Sequence, residues 1–141
     1  MAETKTSQKG NKKVLENQGS ISKKDKLIQI LKKLISSGDI EGAAVITRDG
    51  LLIASELSEG IDGETFAAMS ATMTGAAETA IQELKKSSAD RIIVESKNAK
   101  LITTGAGEQA ILACIVNPNA KLGLILFEMK KASDDIKKEV K

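Results

Sequence analysis

The sequence predicts an α+β fold in which a five-stranded, mostly antiparallel sheet lies between helical layers. Apolar residues follow helical spacing at both ends and in the middle of the folded body, and strand-like runs lie between these segments. In chain order the patterns indicate a helix, a hairpin, a long helix, three strands and a last helix, which is typical of a layered domain. A chain of 141 residues supplies one such domain.

The first helix is predicted over residues 23–37. Ser22 is suited to cap its N-terminus and Gly38 to end it. Its apolar side chains share one face, as expected for a helix that packs on a sheet. They are Leu27, Ile28, Leu31, Leu34 and Ile35.

Two strands are predicted over residues 40–48 and 51–57. Asp49 and Gly50 between them form the strongest short signal for a β-hairpin. Neither strand alternates cleanly between apolar and polar residues. Apolar residues on both faces indicate a sheet that is covered on both sides.

A long helix is predicted over residues 62–86, with Asp62 as its N-cap and Glu64 near the positive end of its dipole. One stripe, at about 100° per residue, is expected to pack on the sheet. It consists of Phe66, Met69, Ser70, Met73, Ala77, Ala80, Ile81 and Leu84. The opposite face carries small side chains in its middle, where a helix facing water carries charged ones. These are Ala68, Ala71, Thr72, Gly75 and Thr79.

The small face of this helix is predicted to be an interface. The helix propensity of alanine explains the alanines, but a glycine within a helix costs about 1 kcal/mol relative to alanine, and threonine is also a mediocre helix former. Small side chains let another backbone approach closely. We therefore expect a second polypeptide to lie against this face.

Three strands are predicted over residues 91–96, 100–104 and 110–116, and the last, uninterrupted in its apolar run, is expected to be central. Residues 104–108 are predicted to form a tight turn, because this glycine cluster lacks the lysine of a phosphate-binding loop. Asn117 and Pro118 are suited to the N-cap and first position of a helix that runs to the end of the chain. Residues 122–127 are also compatible with a strand, and the helix is preferred.

The strand at residues 91–96 offers a second indication of an interface. An edge strand leaves backbone groups unpaired and invites another strand. If it pairs antiparallel with its own copy around Ile93, Arg91 lies opposite Glu95 of the second copy. This arrangement is self-complementary, as a two-fold dimer requires.

Composition excludes several kinds of chemistry. The chain has no histidine, one cysteine, no tryptophan or tyrosine and two phenylalanines, with a formal net charge of +2. Without histidine there is no serine or cysteine triad and no imidazole metal site. The aromatics are too few for a base-stacking surface, and the small net charge favours neither nucleic acid nor an anionic membrane. We expect no catalytic residue, no metal, no cofactor and no nucleic-acid partner.

The chain divides into a tail and a body. Residues 1–21 are predicted to be a disordered, weakly basic tail, because they contain few large apolar side chains. Residues 22–141 are predicted to form a single domain. The polar N-terminal segment lacks the apolar run of a signal peptide, and no stretch is long enough to span a bilayer. A cytoplasmic location without membrane insertion is the expectation.

Five stretches together resemble the Roadblock/dynein-light-chain family of small GTPase regulators. They are residues 40–46 (IEGAAVI), 49–55 (DGLLIAS), 66–69 (FAAM), Gly105 before 110–116 (AILACIV), and 122–124 (LGL). The resemblance implies a profilin-like roadblock fold with strand order 2-1-5-4-3, the long helix on one face and two helices on the other. It also implies a homodimer, or a heterodimer with another roadblock protein, formed through the second helix and third strand.

The resemblance implies binding to Ras-like small GTPases. The leading hypothesis is a dimeric, non-enzymatic adaptor that presents its paired second helices to such a GTPase and modulates or scaffolds its nucleotide cycle. A purely structural assembly subunit, with no effect on nucleotide turnover, is the first alternative. A small-molecule sensor domain is the second, although no residues for a polar-lined pocket are evident.

Overall fold

The computed structural model describes residues 22–140. Its elements are α1 (Lys23–Ile35), β1 (Ile40–Thr47), β2 (Leu52–Glu56), α2 (Gly63–Glu83), β3 (Arg91–Glu95), β4 (Lys100–Gly105), β5 (Ala110–Val116) and α3 (Leu122–Glu139). The element types and their order are those predicted. The predicted tail, residues 1–21, lies outside the described residues.

The strands form one antiparallel sheet in the order β2-β1-β5-β4-β3. The uninterrupted apolar strand β5 is central, and only Ile115 within it is not fully buried. The strands β2 and β3 form the two edges. The fold class and the strand order are therefore confirmed, and β3 is an edge strand as the dimer hypothesis requires.

One face of the sheet is closed by α1 and α3 over a core of large apolar side chains. Leu27 and Leu31 of α1 pack there with Ile125, Met129 and Ile136 of α3, and each is at most 2% exposed. The apolar stripe predicted for α1 faces inward. Closely packed large side chains of this kind supply most of the hydrophobic stabilisation of a small domain.

The opposite face carries α2 over a much smaller core. The cluster there consists of Ala44, Ile46 and Ile111 from the sheet with Ala67 and Ala71 from the helix. Phe66 and Leu52 pack against it and are half-buried. This face holds α2 close to the sheet while burying few large side chains.

Local signals in the sequence fix two helix starts and the hairpin turn. The Ser22 hydroxyl accepts from the backbone N–H of Asp25 at 3.1 Å, and Asp62 accepts from the N–H of Glu64 at 3.2 Å. Gly50 adopts φ +94° in the hairpin turn, a conformation that favours glycine. An added Cβ at Gly50 would lie 3.3 Å from the Ala68 Cα, so the turn packs directly on α2.

The predicted start of the last helix is wrong. Asn117 closes a turn instead, accepting from the N–H of Asn119 through its side chain at 2.9 Å and from the N–H of Ala120 through its carbonyl at 3.0 Å. Pro118 lies within this turn, where its fixed φ is equally suitable. The helix α3 begins at Leu122, and the strand alternative for residues 122–127 is excluded.

Candidate interaction surface

The helix α2 is rotated by about a quarter turn from the orientation that its apolar stripe predicts. Its buried residues are Ala67, Ser70, Ala71 and Thr74. Met69, expected against the sheet, is 61% exposed, and Leu84 at the helix end is 64% exposed. Small side chains therefore face the sheet, and part of the large apolar stripe faces outward.

This rotation divides the predicted small face. Ala71 is only 8% exposed and packs on the sheet, so its prediction as an outward contact is wrong. Ala68 is half-buried beside the hairpin turn. Thr72, Gly75 and Thr79 are exposed as predicted. Small size at positions 68 and 71 serves the close approach of α2 to its own sheet and hairpin.

Apolar side chains on α2 and on the same face of the sheet remain partly or fully exposed, and together they are here called the apolar shelf. Thr103 of β4 contacts Thr74 of α2, so its side chain lies on the helix side of the sheet. Its partners in β3 and β5, and every second residue from them along each strand, lie on the same side. Val94 is 42% exposed, and the others on the sheet are half-buried. The shelf consists of Met69, Met73 and Leu84 from the helix segment with Ile92, Val94, Leu101 and Ile115 from the sheet. Large apolar side chains that are left exposed close together on a soluble protein indicate an interaction site, so the shelf is the candidate surface.

The free edge of β3 presents three residues' backbone groups to a partner. The N–H of Ser96 donates to the Ala99 carbonyl across the β3–β4 turn at 2.9 Å. Because backbone groups alternate along an antiparallel strand, Ile92 and Val94 bond toward β4. The N–H and C=O groups of Arg91, Ile93 and Glu95 therefore point to the open edge.

The side chains of these three residues lie on the face away from α2. Ile93 is half-buried against the larger core, while Arg91 and Glu95 are exposed. Glu95 lies opposite Lys100 in β4, with the nearest charged atoms 3.8 Å apart. The predicted interface residues thus fall on two surfaces, with Thr72, Gly75 and Thr79 on α2 and the β3 residues at the edge.

An ion pair that the sequence did not reveal joins α2 to the hairpin. Arg48 Nη1 lies 2.7 Å from Glu78 Oε1, and Arg48 Nη2 donates to the Gly107 carbonyl at 3.1 Å. The two charged side chains are 34% and 33% exposed. No sequence signal links residues thirty positions apart, so the pairing depends on the tertiary fold.

Buried hydroxyls form a second link between α2 and the sheet. Thr74 Oγ1 and Thr103 Oγ1 are 3.1 Å apart, and both residues are at most 2% exposed. The Ser70 hydroxyl on the same side of α2 is buried with no hydrogen-bond partner among the described residues. The side of α2 that faces the sheet therefore buries the hydroxyl groups of Ser70 and Thr74, and it is more polar than the buried side of an ordinary core helix.

Two ionisable side chains in the described region have shifted pKa values. The Thr65 hydroxyl and the Glu64 N–H donate to Asp62 and hold the pKa of that carboxyl below its usual range. Burial raises the pKa of the Cys114 thiol, which keeps it protonated in the core. Residues 22–140 contain no cluster of His, Cys, Asp and Glu that could hold a metal ion. No helix in that range is long and apolar enough to cross a membrane.

Comparison with known proteins identifies the domain. The sequence profile of the Roadblock/LC7 domain matches residues 27–116. Two uncharacterized proteins of Methanocaldococcus jannaschii are each 35% identical over 109 residues, which cover 77% of this chain and 92% and 95% of theirs.

Solved structures share the fold at lower identity. MglB of Myxococcus xanthus superposes with a TM-score of 0.75 at 23% identity, covering 80% of this chain and 86% of that one. A Roadblock/LC7 domain of Streptomyces avermitilis gives a TM-score of 0.76 at 16% identity, covering 80% and 96%. The profile match extends from α1 to the end of β5 and includes the whole sheet together with α2. The chain therefore belongs to the Roadblock/LC7 domain family.

Proposed function

We propose that this protein is a dimeric, non-enzymatic adaptor that binds a Ras-like small GTPase and modulates or scaffolds its nucleotide cycle. The observation that carries the proposal is the apolar shelf, which includes exposed residues of α2 and of the edge strand β3. Small-GTPase regulation is what the roadblock resemblance implies, and the shelf supplies a surface on which such a protein assembles.

Dimerisation is part of this proposal because pairing of two copies would cover both the unpaired edge of β3 and the exposed apolar side chains beside it. A second copy pairing along β3 would satisfy the outward backbone groups of that edge. It would also bring two copies of Ile92 and Val94 together on the α2 side of the continued sheet. One structural neighbour is described as MglB with a tetrameric arrangement, so self-association occurs among proteins of this fold.

The register proposed for this pairing has its two-fold axis at Ile93. All three outward-bonding residues of each strand are then hydrogen-bonded to the other copy. Arg91 lies opposite Glu95 of the second copy on one face, and Ile92 lies opposite its Val94 on the other. A shift of the axis to Ile92 or Val94 leaves some of these backbone groups unpaired, so the centre at Ile93 uses the edge most fully.

A cysteine scan along β3 tests the register. Residues at the axis of a hydrogen-bonded pair have Cα atoms about 5.5 Å apart, within disulfide range. Ile93→Cys is expected to cross-link the dimer under mild oxidation, whereas Ile92→Cys and Val94→Cys are not. The native Cys114 is buried and provides the background signal. Cross-linking strongest at position 92 or 94 would move the axis, and none at any position would remove the β3 pairing.

The GTPase is proposed to contact the outward side of the paired α2 helices, around Thr72, Gly75 and Thr79. The helix α2 contains no arginine, and Arg48 is held by Glu78 and Gly107. Neither supplies a free guanidinium to the GTPase, and the exposed Arg91 lies at the β3 edge, where the proposed dimer pairs it with Glu95 of the second copy. Stimulation of hydrolysis would therefore act by favouring the catalytic geometry of the GTPase itself.

Gly75→Arg tests whether the α2 surface mediates association. A Cβ at Gly75 meets no heavy atom within 4 Å, so the substitution is tolerated in the isolated fold. Replacing a helical glycine by arginine favours the helix by about 0.8 kcal/mol. We expect an unchanged or raised melting temperature together with loss of dimer or partner binding, measured by sedimentation velocity.

Gly123→Arg is the matched control, because Gly123 is an exposed glycine of α3 with equally open surroundings. It is expected to leave association intact. If Gly75→Arg still dimerises and binds like the parent protein, the proposal for α2 fails.

A panel of purified Ras-like GTPases, loaded with GDP or a non-hydrolysable GTP analogue, tests the partner. Nucleotide-dependent binding that Gly75→Arg abolishes supports the adaptor. Binding with a changed hydrolysis or exchange rate supports a modulating role, and binding with unchanged rates supports scaffolding. Self-assembly without GTPase binding favours the purely structural subunit.

A further inference from the structure

The orientation of α2 conflicts with its own hydrophobic pattern. Its large apolar side chains are most concentrated on the stripe that includes Met69 and Leu84, which remain exposed. The residues turned toward the sheet include Ala67, Ala71 and Thr74. Burial of large apolar surface is the main favourable contribution to packing, so packing alone favours a rotation that places Met69 inward.

The small side chains that α2 packs against the sheet constrain the rotation of the helix only weakly. Interlocking of large side chains fixes how a helix lies on a neighbouring surface. Ala67 and Ala71 project little beyond the backbone and provide shallow ridges. Polar contacts between α2 and other elements can therefore decide the orientation.

Two polar links are placed to do this. Thr74 bonds to Thr103 in the middle of β4, and Glu78 bonds to Arg48 just beyond the end of β1. Residues 74 and 78 lie one turn apart on the same side of the helix. Two anchors on successive turns, directed at two different strands, fix both the rotation and the axial position of α2.

Arg48 also ties the helix to a third segment. Its second guanidinium nitrogen donates to the Gly107 carbonyl in the β4–β5 turn. Gly105 leaves room for it, because a Cβ there would lie 3.0 Å from Arg48 Nη2. The planar, multi-donor guanidinium makes both bonds at once, which a lysine cannot reproduce in the same geometry.

We infer that Arg48, Glu78, Thr74 and Thr103 are positioning residues that hold α2 in a rotation exposing its apolar stripe for association. The link to association rests on the proposed function, whereas the effect on helix rotation does not. The polar links offset the tendency of Met69 to turn inward. Apolar surface that would otherwise be buried within one chain is thereby kept available to another.

Methionine methyl NMR provides a direct readout of the rotation. Met69 is 61% exposed and Met129 is 2% exposed, so a soluble gadolinium chelate broadens the first methyl strongly and the second hardly at all. The double variant Arg48→Met with Glu78→Gln removes the ion pair while keeping an apolar stem. If the inward rotation becomes half-populated, broadening of the Met69 methyl falls by about half.

Association should weaken along with this change. If the competent rotation falls to about 10% of molecules, apparent dimer affinity falls about a hundredfold, because both copies must be in that rotation. Thr74→Val with Thr103→Val is expected to act in the same direction, because it removes the hydroxyl pair at similar volume. Arg48→Lys retains a charge opposite Glu78. Compared with the Arg48/Glu78 double variant, it is expected to recover part of the Met69 broadening and part of the dimer affinity.

The matched control removes an ion pair of similar length on α3, between Lys130 and Asp134 at 3.1 Å. Lys130→Met with Asp134→Asn is expected to change neither the Met69 broadening nor association. Methyl spectra are recorded where sedimentation finds monomer, in the Gly75→Arg background if necessary. Met69 broadening that is equal in the parent protein, the Arg48/Glu78 variant and the control overturns the inference. If the parent protein is monomeric at every concentration, the proposed function fails while the Met69 measurement still tests the rotation.

Discussion

The two faces of the sheet are covered in different ways. On the closed face, α1 and α3 bury large side chains such as Leu31, Ile125 and Ile136 almost completely. The face that carries α2 is here called the open face, because apolar side chains remain exposed on it. There α2 contacts the sheet through Ala67, Ala71 and the pair Thr74 and Thr103. Since hydrophobic stabilisation follows apolar area removed from water, the closed face supplies most of the stability of the single chain.

The difference indicates that the two faces of one sheet have different roles, one in the stability of the single chain and the other in association. The closed face buries most of the large apolar side chains, whereas the open face leaves Met69, Leu84 and Val94 in contact with solvent. Substitutions on the closed face should therefore change unfolding, and substitutions on the open face should change association. Each of the following variants tests that division.

The largest effect is expected from Leu31→Ala on the closed face. Leu31 is fully buried, and truncation of a buried leucine leaves a cavity that lowers the free energy of unfolding by about 2–5 kcal/mol. Urea denaturation of monomeric protein measures it. Leu84→Ala is the comparison on the open face, where a change within about 0.5 kcal/mol is expected. Equal destabilisation by the two variants would contradict the division.

Gly50→Ala is expected to have a smaller effect, at the point where the hairpin meets α2. A positive φ at a residue with a side chain costs about 1–2 kcal/mol. The new Cβ would also lie 3.3 Å from the Ala68 Cα. Gly60→Ala is the control, since Gly60 has φ +90° but no heavy atom within 4 Å of an added Cβ. Denaturation curves measure the loss of unfolding free energy in both variants. A larger loss in Gly50→Ala than in Gly60→Ala reports the contact with α2, and equal losses would argue against that contact.

Met69→Gln is expected to affect association more than folding. Glutamine has a similar shape but a polar end, and the site is exposed in the single chain, so the free energy of unfolding should change by at most about 0.5 kcal/mol. Association should weaken by about 1 kcal/mol or more if Met69 is buried against a partner. Phe127→Gln on α3, where Phe127 is 60% exposed, is the control for the other face. A stronger effect on dimer affinity at Phe127 would place the interface on the closed side.

The smallest effect is expected at the N-terminus of α2. Hydrogen bonds hold the pKa of Asp62 below its value in the unfolded chain, so its contribution to stability is present at neutral pH and is lost as the pH falls through the folded pKa. Asp62→Asn should remove this part of the acid dependence below about pH 4. Denaturation curves at several pH values measure it, with Glu83→Gln at the other end of α2 as control. An unchanged pH profile would show that the cap does not respond to acid.

Most of the fold was predictable because its signals are local. Ser22 and Asp62 cap their helices as expected, and the Asp49-Gly50 turn places glycine at positive φ. The apolar run of β5 correctly indicated a central strand. The exception at Asn117 has a local cause as well, because an asparagine before proline is suited to a turn as much as to a helix cap.

The candidate site was less predictable, because it depends on the rotation of one helix. Periodicity assigned Met69 to the sheet and Ala71 to the outside, and the structure has both the other way round. A helical wheel measures how apolar each side of a helix is, but it contains no information about polar partners on other elements. Arg48 and Thr103 supply those partners from two other parts of the chain.

The sequence by itself determined which segments are helices and strands, which side of α1 faces the core, and that α2 has an unusual second face. These properties follow from spacing, capping and turn chemistry within a few residues of one another. Only the tertiary structure decided which side of α2 meets the sheet and which apolar residues remain exposed. That choice depends on Thr74 meeting Thr103 and on Glu78 meeting Arg48, contacts between residues about thirty positions apart that exist only once the sheet has formed.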